Sequence, residues 1–279
     1  MTSGYDLLDV GGGGRLERFA DRVTDRPLPT ALGARLDPDA WRAADLRYDR
    51  DRGWSGAAAA RAAWPIEVDG LTLELRATEA GQVGLFPEHA AMLPWLRGQV
   101  AVRNDVAETP AILHLFAYTG LATLAMAAAG ARVTHVDASR PTVGWARHNA
   151  GLSHVEDRPI RWIVDDAVAF TDREVRRGRR YAGVVLDPPS YGHGPGTRAW
   201  QIADDLGPLL DAIAHLLVPD GFLLLSAHTP DFDPDRLADA AARALGRSRA
   251  AFHGDMLAIA TADGRRTELG AFTRTSGGA

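Results

Sequence analysis

An apolar run ends in Asp187-Pro188-Pro189-Ser190-Tyr191, which puts a carboxylate, two residues without N–H groups and an aromatic ring at one corner of the chain. Two successive prolines cannot continue a strand ladder, so they stop it and stiffen the turn. The Asp187 carboxylate and the Pro188 carbonyl are then acceptors for an amino group or a ring N–H, and Tyr191 offers a face for stacking on a planar substrate. Holding an acceptor in line is most of what a displacement reaction requires. The glycine-rich stretch that follows carries His193, a candidate general base, and Arg198, a candidate contact for an anionic substrate. The competing readings are a plain rigid turn for the corner and a surface histidine for His193.

A second constellation lies upstream. One apolar run leads into Phe116-Ala117-Tyr118-Thr119-Gly120, and the next ends at Asp137, followed by Ala138 and Ser139. An acid at this spacing can accept both hydroxyls of a ribose, a device that nicotinamide enzymes also use. The turn separates the two cofactor classes. A dinucleotide lays its pyrophosphate on a helix N-terminus and needs the close approach of G-x-G-x-x-G. Here Tyr118 and Thr119 carry bulk and only Gly120 remains, which favours an adenosyl cofactor without phosphate, S-adenosyl-L-methionine, over a nicotinamide. The alternative is that Gly120 merely opens a helix and Asp137 caps one. A third run ends at Asp165-Asp166-Ala167. Asp166 fits a contact to an adenine amino group better than Asp165 does, with Ala167 leaving room for the ring. An N-cap role competes for the same side chain.

These residues need a frame that brings them to one edge. From about residue 110 the pattern predicts strands at 111–116, 132–136, 160–164, 181–186 and 221–226. It predicts helices at 121–129, 141–151, 167–177, 199–217 and 234–245, and final strands at 248–252 and 268–275. Near-continuous apolar strands alternating with helices imply a mostly parallel α/β sheet of Rossmann-like type, covered on both faces, with the last strand antiparallel. Ligands of such sheets bind beyond the carboxyl ends of the strands. Residues 1–105 read as a small β-rich region. Within it, a turn is expected at glycines 11–14, a helix near 38–47, a hairpin over 65–86 turning at Asp69-Gly70, and a lead-in helix at 88–96. Residues 106–279 read as the cofactor-binding domain.

Composition bounds the rest. The 279 residues carry a net charge of −5 and a pI near 6.0, which speaks mildly against nucleic acid as substrate. Arg173, Arg176, Arg177, Arg179 and Arg180 form a basic cluster, read here as cations complementing a helix C-terminus. There is no cysteine, so disulfides, thiolate metal sites and a cysteine nucleophile are excluded. Nine histidines lack metal-ligand spacing, and no metal is expected. With no apolar run of membrane-spanning length and no export signal at the start, a cytoplasmic location is expected and a membrane is not.

Several of these segments together resemble a known family. Leu115-Phe116-Ala117-Tyr118-Thr119-Gly120, Asp137-Ala138-Ser139, Trp145-Ala146-Arg147-His148-Asn149 and Asp187-Pro188-Pro189-Ser190-Tyr191 are similar to the bacterial 23S rRNA cytosine-C5 and guanine-N7 methyltransferases. The likeness spans about 84–275. Gly84-Leu85-Phe86-Pro87-Glu88-His89 sits where that family carries G-x-F-L-D-x-R, a segment that closes over the cofactor. The resemblance therefore implies that Phe86 and Glu88 join the cofactor contacts, beside Asp187 and Pro189. Pro87 stands for the leucine and Glu88 for the aspartate, and the arginine is absent. The cytosine-C5 members attack the base with a cysteine. The strand end that carries it reads Ser226-Ala227-His228 here, so that covalent route is closed. The N-terminal PUA module is also missing, and the opening resembles a less characterised bacterial subgroup. The resemblance implies direct methylation of a nitrogen or similar heteroatom of an RNA base. Methylation of a small molecule, a non-catalytic cofactor-binding module and a nicotinamide oxidoreductase stay open as alternatives.

Overall fold

The computed structural model describes residues 4–57, 60–104, 109–192 and 199–277. The chain divides into two compact units. One runs to Ala91 and takes back Ala258–Glu268; the other holds Met92–Leu257 and the stretch from Leu269.

In the first unit, β1 (Tyr5–Gly11), β2 (Gly14–Phe19) and β3 (Arg22–Pro27) form an antiparallel meander. The expected glycine turn joins β1 to β2, with Gly12 and Gly13 at positive φ. α1 covers only Pro38–Arg42, shorter than the helix expected over 38–47. Leu46 and Arg47 are instead claimed by β4 (Leu46–Asp49), which pairs parallel to β3, and Arg47 bonds Asp25 at 2.8 Å. Tertiary pairing overrides local helix preference there. β5 (Gly53–Gly56) completes a five-stranded sheet. β6 (Trp64–Val68) and β7 (Leu71–Leu75) make the expected hairpin, turning at Asp69-Gly70 with both residues at positive φ. A 3-10 helix then spans Pro87–Met92.

The second unit opens with α2 (Leu93–Asn104), later than the expected 88–96. Pro94 sits in its first turn, where a missing N–H costs nothing. Then follow β8 (Ala111–Leu115), α3 (Leu121–Ala128), β9 (Arg132–Asp137), α4 (Arg140–Leu152), β10 (Ile160–Val164), α5 (Ala167–Arg176) and β11 (Tyr181–Leu186). The short β12 (Tyr191–Gly192) and β13 (Trp200–Gln201) pair with each other, so α6 begins only at Ile202 and runs to Leu216. β14 (Leu217–Ala227), α7 (Pro234–Leu245), β15 (His253–Ala260) and β16 (Arg266–Thr275) complete the chain. Residues 249–251 form a 3-10 turn capped by Ser248, where a strand was expected. That serine bonds the Ala250 N–H and holds the backbone in a turn.

The sheet order is β10-β9-β8-β11-β14-β16-β15. β10, β9, β8, β11 and β14 are parallel, and β16 runs antiparallel to β14. This is a class I methyltransferase-type Rossmann-like α/β sheet, and the chain carries in addition a β-rich N-terminal region. Val184 and Leu186 of β11, Leu223 and Leu225 of β14, Leu209, Leu210 and Ile213 of α6 and Leu237 of α7 pack in one buried cluster. Each such side chain contributes about 1.5–3 kcal/mol by leaving water. Gly183 permits the close β11–β14 approach, since a Cβ there would sit 2.1 Å from the Phe222 ring.

Candidate active site

Register decides what meets at the carboxyl edge. Leu115 pairs with Val136 and with Leu186, Asp137 with Val164, and Leu186 with Leu225. The strands therefore end within two residues of one another. The loop 116–120, Asp137, Asp165-Asp166, Asp187 and Ser226 stand at this carboxyl edge.

The turn after β8 is held in unusual backbone. Phe116, Tyr118 and Gly120 have φ of 53°, 51° and 91°. Left-handed φ in bulky residues costs about 1–3 kcal/mol each and persists where surroundings enforce it. Here the enforcement is visible. Ala117 N–H donates to the Val136 carbonyl, Gly120 N–H to the Ala117 carbonyl, and buried Asn149 Nδ2 to the Thr119 carbonyl at 3.0 Å. The Phe116 ring lies 5.1 Å from that of Trp200, while Ala117 and Thr119 are buried.

Asp137 is bonded through both carboxylate oxygens. Oδ2 accepts the Tyr118 N–H at 2.9 Å and Oδ1 accepts the Ser139 N–H at 2.9 Å. Burial raises its pKa above the ordinary 3.8, against the lowering effect of those two N–H groups. A carboxylate oxygen takes more than one donor. Each oxygen therefore keeps capacity for a hydroxyl, and a desolvated carboxylate gains from it. That is the chemistry a ribose diol supplies. Ala138 and Ser139 are exposed at the start of α4, which Ser139 caps through the Thr142 N–H.

Asp166 caps α5, its Oδ1 accepting the Ala169 N–H at 2.9 Å. Asp165 is ion-paired with Arg173 and accepts the Asp166 N–H. The division of labour between the two aspartates thus includes a cap on Asp166 itself. Ala167 is buried behind it. The basic cluster is partly spoken for: besides Arg173, Arg177 bonds Glu174 at 3.0 Å, alongside Tyr181 Oη at 2.7 Å.

At the proline corner, Pro188 is buried and Pro189 exposed. The Pro189 carbonyl accepts Trp200 Nε1 at 2.7 Å and the Ser190 carbonyl accepts the Ile202 N–H. Ser190 Oγ is 2.7 Å from Thr229 Oγ1. Among the described residues no donor reaches the Pro188 carbonyl. Tyr191 is 75% exposed, so its ring face is accessible. Asp187 Oδ1 accepts the Ser226 hydroxyl at 2.7 Å, and Oδ2 faces His228 Nε2 at 3.6 Å. Ser226 and His228 are site residues that the motifs alone did not single out. The available signal was two polar residues at the end of an otherwise apolar fifth parallel strand. His193 and Arg198 lie outside the described residues.

Phe86 and Glu88 belong to the first unit. Phe86 is half-buried with its ring 5.8 Å from that of His89. Glu88 is 3% exposed and its charge acts on the Arg15 guanidinium. Glu88 therefore takes part in a buried charge cluster of its own unit.

Comparison with known proteins bears on the family and the fold. A family model described as S-adenosylmethionine-dependent methyltransferase matches residues 40–251. A solved SAM-dependent methyltransferase from Agrobacterium tumefaciens is 35% identical, with a TM-score of 0.91 over 99% of this chain and 91% of that one. The ribosomal RNA large subunit methyltransferase K/L of Methylococcus capsulatus is 36% identical over 157 residues, which is 56% of this chain and 20% of that protein. Its counterpart in Magnetococcus marinus is 32% identical over 60% of this chain and 22% of that protein. The chain spans about a fifth of the length of these two curated relatives.

Proposed function

The chain belongs to the S-adenosylmethionine-dependent methyltransferase family, and from that premise we propose that it methylates a nitrogen or similar heteroatom of an RNA base by direct transfer. The observation that carries the reading is the pair of carboxylates, Asp137 and Asp187, at the carboxyl ends of β9 and β11. β8 lies between those strands, which sets them roughly 10 Å apart.

S-adenosyl-L-methionine, when bound, supplies an electrophilic methyl group on a sulfonium. Asp137 accepts the ribose hydroxyls, with Ala138 and Ser139 beside it. Phe116, Ala117, Tyr118, Thr119 and Gly120 shape the turn that receives the cofactor, and Asp166 with Ala167 borders the adenine. Phe86 and Glu88 supply the covering segment that the family likeness implies, and Pro189 flanks the corner. Asp187 and the Pro188 carbonyl orient the acceptor N–H groups, and Tyr191 stacks on the base. His193 is retained as a candidate base. With no cysteine in the chain, transfer proceeds without a thiol adduct.

RNA is favoured by the similarity to the ribosomal RNA large subunit methyltransferases K/L. The net charge of −5 favours a second reading, the same chemistry on a small molecule. Incubation with tritiated cofactor and either total RNA or a small-molecule extract separates them, and label confined to the extract rejects RNA. Asp187→Ala is expected to lower the labelling rate by about 10²-fold or more through lost positioning. Unchanged activity of that variant in cells would identify a non-catalytic module instead.

A further inference from the structure

We propose that His228 is the proton acceptor of the transfer, taking the hydrogen that an N–H acceptor sheds as its nitrogen is methylated. The proposal rests on the methyltransferase reading above.

His228 follows the last residue of β14, which runs two residues past the Leu225 that pairs with Leu186 at the end of β11. Its Nδ1 lies 2.8 Å from the Leu269 carbonyl oxygen, in the adjoining β16. A carbonyl oxygen can only accept, so Nδ1 carries the hydrogen. In the neutral ring the lone pair then belongs to Nε2. Nε2 is the atom turned towards Asp187, 3.6 Å from Oδ2. The Ser226 hydroxyl holds the other carboxylate oxygen at 2.7 Å, which fixes the plane of the group. The two side chains are 26% and 20% exposed, so a substrate can reach both. An amine bonded to Asp187 Oδ2 therefore has a basic nitrogen within direct or one-water reach, the geometry a general base needs.

The step balances as follows. The acceptor nitrogen's lone pair forms the N–CH3 bond while the C–S bond breaks and its electron pair goes to sulfur. The N–H bond then breaks, its pair returns to nitrogen, and the proton goes to Nε2. The imidazolium so formed faces the Asp187 carboxylate, and the methylated nitrogen leaves neutral. The backbone carbonyl at Nδ1 fixes the tautomer and the orientation of the ring, the role that a hydrogen bond at the second ring nitrogen plays for histidine in general.

Two kinds of measurement test this. Nitrogen-15 NMR of histidine-labelled wild-type protein is expected to show His228 as the neutral Nδ1–H tautomer at pH 7.5. A ring protonated at Nε2, alone or as imidazolium, overturns the proposal. Single-turnover transfer from tritiated S-adenosylmethionine is measured on whichever fraction, total RNA or small-molecule extract, wild type labels. H228N keeps a donor for the Leu269 carbonyl but has no base, and its rate is expected to fall about 10²-fold while calorimetric affinity for S-adenosylhomocysteine is unchanged. A wild-type rate in H228N overturns the proposal, as does a loss explained by weakened affinity. Added imidazole is expected to raise the rate of H228A, and no rise counts against a proton-transfer role. Wild type labelling neither fraction would sink the methyltransferase reading and this proposal with it. Labelling by wild type with an unaffected H228N sinks only the proposal.

Discussion

Asp137 shows how one side chain is prepared for a ligand. Its two oxygens already hold the backbone of the turn and of α4, yet burial keeps its pKa raised. Two backbone donors do not offset its burial, and in the function proposed above the ribose hydroxyls add to them. Asp137→Ala is expected to raise the dissociation constant for S-adenosylhomocysteine about 10–100-fold, from a charged hydrogen bond worth about 1.5–3 kcal/mol. Isothermal calorimetry checks it, and an unchanged constant would remove Asp137 from the cofactor site. His135, two residues earlier, has the opposite character. It is fully buried, Nδ1 lies 2.9 Å from Thr123 Oγ1, and no partner reaches Nε2 among the described residues. Burial, and then the neighbouring His114, push its pKa well below the ordinary 6.5. The folded state thus keeps His135 neutral while the unfolded chain binds a proton below pH 6.5. Its share of stability is present above that pH and is lost as pH falls, by up to about 1.4 kcal/mol per pH unit. Urea unfolding of wild type and His135→Gln between pH 7.5 and 5 is expected to show wild type losing ground to the variant. Parallel pH curves would contradict this.

At the level of elements, the turn between β8 and α3 is the part most dependent on its surroundings. Gly120 caps α3 at a φ of 91°, and a Cβ there would lie 3.2 Å from Ala146 Cβ in α4. Gly120→Ala is expected to destabilise the protein by about 1–3 kcal/mol through that backbone conformation, measured by urea unfolding, and to weaken S-adenosylhomocysteine binding as the turn shifts. A variant as stable as wild type would mean the turn relaxes freely. Among the described residues four α-helices carry side-chain caps, Asp37 on α1, Ser139 on α4, Asp166 on α5 and Asp233 on α7. Ser139 and Asp166 cap helices that start at the carboxyl edge of the sheet, so the same polar residues that start a helix stand beside the proposed cofactor site. For Asp166 both readings of the sequence therefore stay compatible, because a cap uses one oxygen and leaves the other.

At the scale of the whole molecule, the first unit is closed by a segment from far along the chain. Asp9 of β1 accepts Trp41 Nε1 at 2.6 Å, the Leu36 N–H at 2.9 Å and Arg265 Nη1 at 2.7 Å. Burial alone would raise its pKa, but the bonds from Trp41, Arg265, Leu36 and Val10 outweigh it and bring the group to about 2, from 3.8. Stability from Asp9 is therefore full above pH 3.8 and is lost as pH falls towards 2. It amounts to about 2 kcal/mol at neutral pH, taken from the pKa difference. Asp9→Asn is expected to unfold more readily than wild type at pH 7, with the gap closing by pH 2 in acid-unfolding curves. A gap independent of pH would show that the carboxylate charge is not what closes the unit. Among the described residues no helix is long and apolar enough to cross a membrane.

The sequence alone determined the α/β class, the parallel strands to within a residue or two except that β14 starts at Leu217 instead of 221, and the motifs that stand at the carboxyl ends of those strands. Those follow from period, from apolar runs and from turn chemistry, all of which are local. It did not determine that Leu46 and Arg47 leave a helix for a strand, that the helix before β8 starts at Leu93, or that residues 249–251 turn. Nor did it single out Ser226 and His228 as neighbours of Asp187, since β11 and β14 are some forty residues apart and only strand register sets their ends side by side. Pairing partners, and the desolvation that tunes a carboxylate or an imidazole, depend on groups distant in the chain, and so only the folded structure decides them.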